Sequence, residues 1–146
     1  MLSFMNMDVV GFCSIETLHL QLNPTCTILI KAPNGKGKST ILSALVWAIY
    51  GKNLKGVSDV NTWKEVRPKD YKGTMVQVFF QKDTHTYKII RCQKYEEVLD
   101  DGAKGKDRLV FIKDGDIIDI KGKGKIQDAI NREIGLSYTL FMNSIM

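Results

Sequence analysis

The sequence predicts an α/β domain in which a mixed sheet carries a glycine-rich loop at a strand end, with an antiparallel β-subdomain from about residue 74 to 120. Three observations predict it. The apolar run Thr27-Ile28-Leu29-Ile30 leads directly into APNGKGKST, residues 32–40. Ile41, Leu42, Leu45, Val46, Ala48 and Ile49 then recur at helical spacing. Farther on, alternating apolar runs fold back at turn signals. A chain of 146 residues is the size of one domain and long enough for one core.

The elements follow in order. Leu18, Leu20 and Leu22 alternate with His19 and Gln21, the period of a half-buried strand. Asn23-Pro24 is a turn signal, and Thr27 to Lys31 reads as a strand buried on both faces, so the chain is expected to open with a hairpin leading into a core strand. An amphipathic helix is predicted from about Lys38 to Tyr50, with Gly51 as its stop. Residues 52–73 read as irregular, with an exposed Trp63. Met75 to Gln81 and Tyr87 to Arg91 form a predicted hairpin across Lys82-Asp83-Thr84-His85. Leu109 to Lys113 and Ile117 to Ile120 flank Asp114-Gly115, the strongest short hairpin signal in the chain. Asp100 to Asp107 and Lys121 to Lys125 read as loops. Ile126, Ala129, Ile130 and Ile134 space as a helix that stops at Gly135, and Ser137 is placed to cap a last helix carrying Leu140, Phe141 and Ile145. Met146 falls inside an apolar helical pattern with no polar finish, so residues 1–146 are expected to be a fragment of a larger protein.

Composition narrows the classes. A 44% hydrophobic, 25% charged chain is ordinary for a soluble globular domain. The net charge of +5 suits a phosphate or nucleic-acid partner without requiring one. Cys13, Cys26 and Cys92 are odd in number and far apart, which suggests neither a zinc site nor a disulfide framework. No signal-peptide pattern and no run approaching about 20 apolar residues is present, so a cytoplasmic location and no membrane partner are expected.

The chemistry lies in the loop. Gly37, Lys38 and Ser39 fill the last three places of G-x-x-x-x-G-K-[ST], the phosphate-binding pattern, and Ala32 occupies the first. Gly35 and Gly37 admit backbone conformations closed to residues with a β-carbon, so successive N–H groups can turn inward around phosphate oxygens. The following helix adds its N-terminal partial positive charge. Lys38 is placed to reach the β- and γ-phosphates, Ser39 to put its hydroxyl on Mg²⁺, and Thr40 to donate to an α-phosphate oxygen. Asn34, Gly35, Lys36, Gly37, Lys38, Ser39 and Thr40 are therefore the candidate nucleotide site, with ATP and Mg²⁺ as its ligands and Lys38 as the catalytic side chain. Alanine at position 32 costs on the order of 1 kcal/mol if that residue needs a positive φ.

Asn34-Gly35-x-Gly37-Lys38-Ser39-Thr40, with Leu42-Ser43-Ala44-Leu45 through Ala48-Ile49-Tyr50-Gly51, resembles the chromosome-maintenance and recombination branch of P-loop ATPases. Tyr87-Lys88-Ile89-Ile90-Arg91 is similar to that family's second-hairpin strand. Ile134-Gly135-Leu136-Ser137, Phe141 and Ser144-Ile145 are similar to the segment before its Q-loop. Nearly the whole chain resembles the N-terminal ATPase lobe of SbcC/Rad-fifty proteins, whose phage versions are recombination endonuclease subunits. The resemblance implies a P-loop NTPase, ABC-ATPase-like head that hydrolyses ATP in DNA double-strand-break repair or recombination. It implies a second head as a homodimer partner and an SbcD-like nuclease. The family's Q-loop, signature, Walker B and zinc-hook motifs are not found in these residues, so hydrolysis is expected to need parts outside the chain and the fragment alone to be inactive.

Rival readings are a transporter nucleotide domain, with Gln77 or Gln81 as its Q-loop, a small kinase or GTPase, and a stand-alone nucleotide- or DNA-binding module. DNA contact is expected through basic surface loops, namely Lys121 to Lys125 with Lys104 and Lys106. Trp63 beside Lys64 and Arg67 is a weaker stacking candidate. His19 and His85 read as exposed strand and turn positions, and Arg91 either faces the nucleotide or pairs with a carboxylate.

Overall fold

A computed structural model describes residues 2–13, 15–21, 35–52, 56, 60, 69–99, 102, 104–118 and 121–145, and of residues 2, 15, 16, 35–40, 123 and 142–145 the backbone alone. The strands are β1 (Leu2–Phe12), β2 (Ile15–Gln21), β3 (Thr74–Lys82), β4 (His85–Gln93), β5 (Tyr95–Val98), β6 (Lys104–Lys106), β7 (Leu109–Lys113) and β8 (Asp116–Ile117). The helices are α1 (Gly35–Tyr50), α2 (Lys123–Ile134) and α3 (Tyr138–Ile145). Six strands form one sheet in the order β2-β1-β3-β4-β7-β8, and β5 and β6 form a separate ribbon. Every described strand pair is antiparallel. The expected core strand over Thr27–Lys31 lies outside the described residues.

The expected hairpin across Asn23-Pro24 lies outside the described residues, and the described chain opens with another one. β2 pairs with β1, with Phe12 opposite Ile15 and Cys13 at φ 49 in the turn between them. β1 hides in the sequence because its alternation breaks at a bulge between Phe4 and Asn6. It nonetheless sits in the sheet interior, with Met7, Val9 and Phe12 fully buried. Asp83-Thr84 closes the β3–β4 hairpin with Lys82 opposite His85. Asp114 and Gly115 both have positive φ, 52° and 85°, as a tight two-residue turn requires. These later strands continue the β1–β2 hairpin in one sheet.

The span 100–107 is not all loop. β6 pairs with β5, with Tyr95 opposite Lys106 and Val98 opposite Lys104. The ribbon leaves the main sheet at Lys94, whose φ is 52° and whose N–H donates to Asp107 Oδ1 at 2.7 Å. Its base is tightly crossed. A β-carbon on Gly73 would lie 2.0 Å from the Lys94 carbonyl oxygen, and one on Gly11 would lie 2.1 Å from the Gly73 carbonyl oxygen. The buried Thr74 hydroxyl donates to Gly11 O at 2.7 Å beside this crossing.

The sheet has two apolar faces. Val76, Val78, Phe80, Tyr87, Ile89, Leu109 and Phe111 meet the helices in the main core, while Ile90, Cys92 and Val110 form a smaller cluster with Met75, Tyr95, Leu99 and Ile112. Tyr87 stacks between Phe80 and Phe111, at centroid distances of 4.8 and 5.8 Å. Helix α1 is buried at every position from Ala44 to Tyr50, so its second half is enclosed all round instead of amphipathic.

Helix α2 starts at Lys123, inside the span expected as a loop, and ends at Gly135 in the left-handed region with its N–H on Asn131 O. Ser137 caps α3 as expected, its Oγ accepting the Leu140 N–H at 3.2 Å. Glu133 joins α2 to the sheet, accepting from Tyr87 Oη at 2.7 Å and Lys113 Nζ at 3.2 Å.

Candidate nucleotide site

Six of the seven candidate site residues, Gly35, Lys36, Gly37, Lys38, Ser39 and Thr40, are the first six residues of α1. Asn34 and Ala32 lie outside the described residues, and the side chains at 35–40 are not described. The helix begins three residues earlier than expected. That placement makes Gly35-Lys36-Gly37-Lys38 its first turn, where four backbone N–H groups have no carbonyl partner within the helix. The first turn contains no acidic residue to oppose an anion. A helix terminus of this kind attracts phosphate through its N–H groups and its dipole together. The backbone present therefore fits a nucleotide's phosphates.

The other end of α1 is held by its own closing bond and by bonds from β4 and α2. Gly51, at φ 79°, sends its N–H to Trp47 O at 2.7 Å. Arg91 on β4 donates from Nε to Ala48 O at 3.0 Å and from Nη2 to Ile49 O at 3.2 Å. Its Nη2 also meets Gln127 Oε1 on α2, whose Nε2 donates to Ile49 O at 2.7 Å. Burial pushes the Arg91 guanidinium down to about 10, so it remains a cation at neutral pH. Tyr50 Oη donates to Leu136 O at 2.6 Å, and burial pushes its phenol up to about 12. The Tyr50 ring meets Tyr138 and Phe141 edge-on.

Arg91 thus takes neither role left open for it. Its described partners are carbonyls and an amide at the helix end remote from the loop. The available signal was a polar residue at an inward position: β4 alternates, so Arg91 continues the helix-facing row of Tyr87 and Ile89. His19 is exposed and His85 half-buried, each on a carboxylate, Asp8 and Asp114 respectively. Gln77 lies within β3 and donates to Asp8 Oδ2 at 3.3 Å. Gln81 lies in the same strand. Lys104 and Lys106 are exposed on β6, and Lys121 and Lys125 are exposed around the start of α2. Trp63, Lys64, Arg67 and Cys26 lie outside the described residues. Among the described residues no group of three His, Cys, Asp or Glu side chains is placed to hold a metal, and no helix is long and apolar enough to cross a membrane.

A family model described as an AAA domain matches residues 7–144. The chain is 28% identical over 145 residues to exonuclease subunit 2 of Escherichia phage RB69, covering 98% of this chain and 23% of that protein. It is 31% identical over 91 residues to exonuclease subunit 2 of Enterobacteria phage T4, covering 62% of this chain and 15% of that one. The chain therefore spans less than a quarter of the length of these relatives. Among solved structures, the recombination mediator protein RecF of the RecFOR pathway superimposes with TM-scores of 0.53 (RecF-ATPrS) and 0.50 (RecF-ATP). Each superposition has 17% identity and covers 86% of this chain, with 29% and 30% of the RecF chain covered respectively, which establishes a shared fold. The resemblance to SbcC-like phage recombination subunits is borne out by these relatives, and by the match across residues 7–144 the chain belongs to the AAA domain family of P-loop ATPases.

Proposed function

We propose that this chain is the ATP- and Mg²⁺-binding N-terminal lobe of an SbcC-like ATPase acting in DNA double-strand-break repair or recombination. The observation that carries the reading is the start of α1 at Gly35, which makes the glycine-lysine motif the anion-attracting first turn of a buried helix. Asn34 to Thr40 cradle the phosphates, Lys38 offsets charge on the β- and γ-phosphates, Ser39 takes Mg²⁺ and Thr40 meets the α-phosphate. The reaction is phosphoryl transfer to water, and its remaining groups come from residues outside this chain and from a second head. The phage relatives are named as exonuclease subunits, which supports a partner nuclease, and the exposed lysines of β6 and α2 supply a contact for the DNA backbone. The complex works in the cytoplasm, that of the host if the chain is phage-encoded.

Titration of the chain with Mg·ATP tests the site. Lys38→Ala removes a charge-assisted contact worth about 1.5–3 kcal/mol, a loss of roughly ten- to a hundredfold in affinity, with the melting temperature unchanged. Equal affinity in the variant and the wild type would refute the assignment.

A further inference from the structure

We infer that Arg91 and Gln127 are positioning residues for the phosphate-binding end of α1: they set the rotation and depth of the helix, and so the place its first turn presents to a nucleotide. The inference rests on the nucleotide reading above. Two successive carbonyls of the last turn of α1 are taken by groups on other elements, next to the helix's own closing bond from Gly51 N–H to Trp47 O. Gly51 N–H holds Trp47 O, Arg91 Nε holds Ala48 O, and Arg91 with Gln127 holds Ile49 O. Gln127 is itself tethered, donating to Asn131 Oδ1 at 3.0 Å. A β-carbon on Gly51 would stand 3.0 Å from Arg91 Nη1, so the guanidinium is seated directly against the helix stop.

Helix ends do not need such an arrangement, because water satisfies terminal carbonyls at a surface. Here a half-buried cation takes that place, at the negative end of the helix dipole, and is bonded to two elements at once. Burying a charge is unfavourable unless its geometry is well satisfied, and well-satisfied geometry holds its partners in register. α1 is a rod of 16 residues, about 24 Å long. A rotation of about 10° moves an atom about 6 Å from the axis by about 1 Å, enough to take an aligned hydrogen bond out of its distance range. Arg91 sits on β4 and Gln127 on α2, so the setting of the loop depends on where the sheet and α2 stand relative to each other.

The test uses Gln127→Ala, Arg91→Met and Arg91→Lys in the whole 146-residue chain. Mg·ATP affinity is measured well below each melting midpoint, and the glycine amide spectrum is recorded without nucleotide. The expected result for Gln127→Ala and Arg91→Met is a loss of affinity of roughly three- to thirtyfold, with Arg91→Lys recovering part of it. The amide resonances of Gly35 and Gly37 shift in Gln127→Ala, at the far end of the helix, which a purely local brace would not produce. If an Arg91 variant fails to fold, Gln127→Ala alone decides. Folded Gln127→Ala with wild-type affinity and unmoved Gly35 and Gly37 resonances overturns the positioning role and leaves the nucleotide site standing. No Mg·ATP binding by the wild-type chain sinks both.

Discussion

Gly73 is the position where a single methyl group should do most damage. Its φ of 97° is left-handed, and an added β-carbon would stand 2.0 Å from the Lys94 carbonyl oxygen and 2.8 Å from the Tyr95 α-carbon. Both obstacles are backbone, so no side chain can swing aside. The left-handed conformation costs about 1–2 kcal/mol for an L-residue, and moving packed backbone adds about 1–3 kcal/mol. Gly73→Ala should therefore lose roughly 2–5 kcal/mol of a total near 5–15 kcal/mol. Gly102 supplies the control: its φ is 82°, and a β-carbon there meets nothing within 4 Å. Gly102→Ala should lose only the conformational part, about 1–2 kcal/mol. With a urea slope of about 1–3 kcal/mol per molar, Gly73→Ala lowers the unfolding midpoint by on the order of 1–2 M and Gly102→Ala by less than half as much. Equal midpoints for the two variants would refute the steric reasoning and leave backbone conformation as the whole effect.

Two further outcomes are expected. Ser137→Ala removes the cap on Leu140 N–H and should cost about 1 kcal/mol, read as a fall of a few degrees in melting temperature; an unchanged melting temperature would mean that water replaces the cap. Glu133→Gln tests the link between α2 and the sheet through pH. The Tyr87 hydroxyl, and after it Lys113, holds the Glu133 carboxyl below its ordinary value of 4.5. A depressed carboxyl stabilises the fold above its unfolded pKa, and that contribution is lost as pH falls through the folded value. The wild type should therefore exceed Glu133→Gln by about 1 kcal/mol at pH 7, and the gap should close as pH falls below 4.5; a gap independent of pH would show that charge has no part in it.

What could be read from the sequence was local. Asp114-Gly115 needs only its own backbone preferences to make a turn, and both φ values are positive as that turn demands. Ile41 to Ile49 shows its period over a few residues, and the glycine-lysine motif lies within seven. What escaped depends on distance along the chain. β1 is recognisable only through its partner β3, some seventy residues later, because Met5 sits in a bulge and Gly11 interrupts the inward row. β5 and β6 lack an apolar alternation, since Lys104-Gly105-Lys106 presents polar groups to water. The role of Arg91 was hidden for a different reason. Its main partners are backbone carbonyls of Ala48 and Ile49, and a carbonyl has no letter in the sequence. The early start of α1 follows a similar rule: glycine weakens a helix interior but is tolerated in a first turn fixed by the buried turns behind it.

The pairing of β1 with β3 also sets the order in which the molecule can assemble. Val10 lies opposite Met75, so two interior strands are neighbours in space while the entire glycine loop and α1 are strung between them. At elongation rates of about 5–20 residues per second, β1 waits roughly 3–13 s for its partner to be made. Until then the apolar side chains of Ala44 to Tyr50 lack the sheet face formed by β3 and β4. Contacts this remote slow a folding reaction, because the intervening loop must be closed before they return any stability. The glycine-lysine segment and its helix are thus made before the sheet face that supports them, and over that interval the apolar side chains of Ala44 to Tyr50 stay open to water.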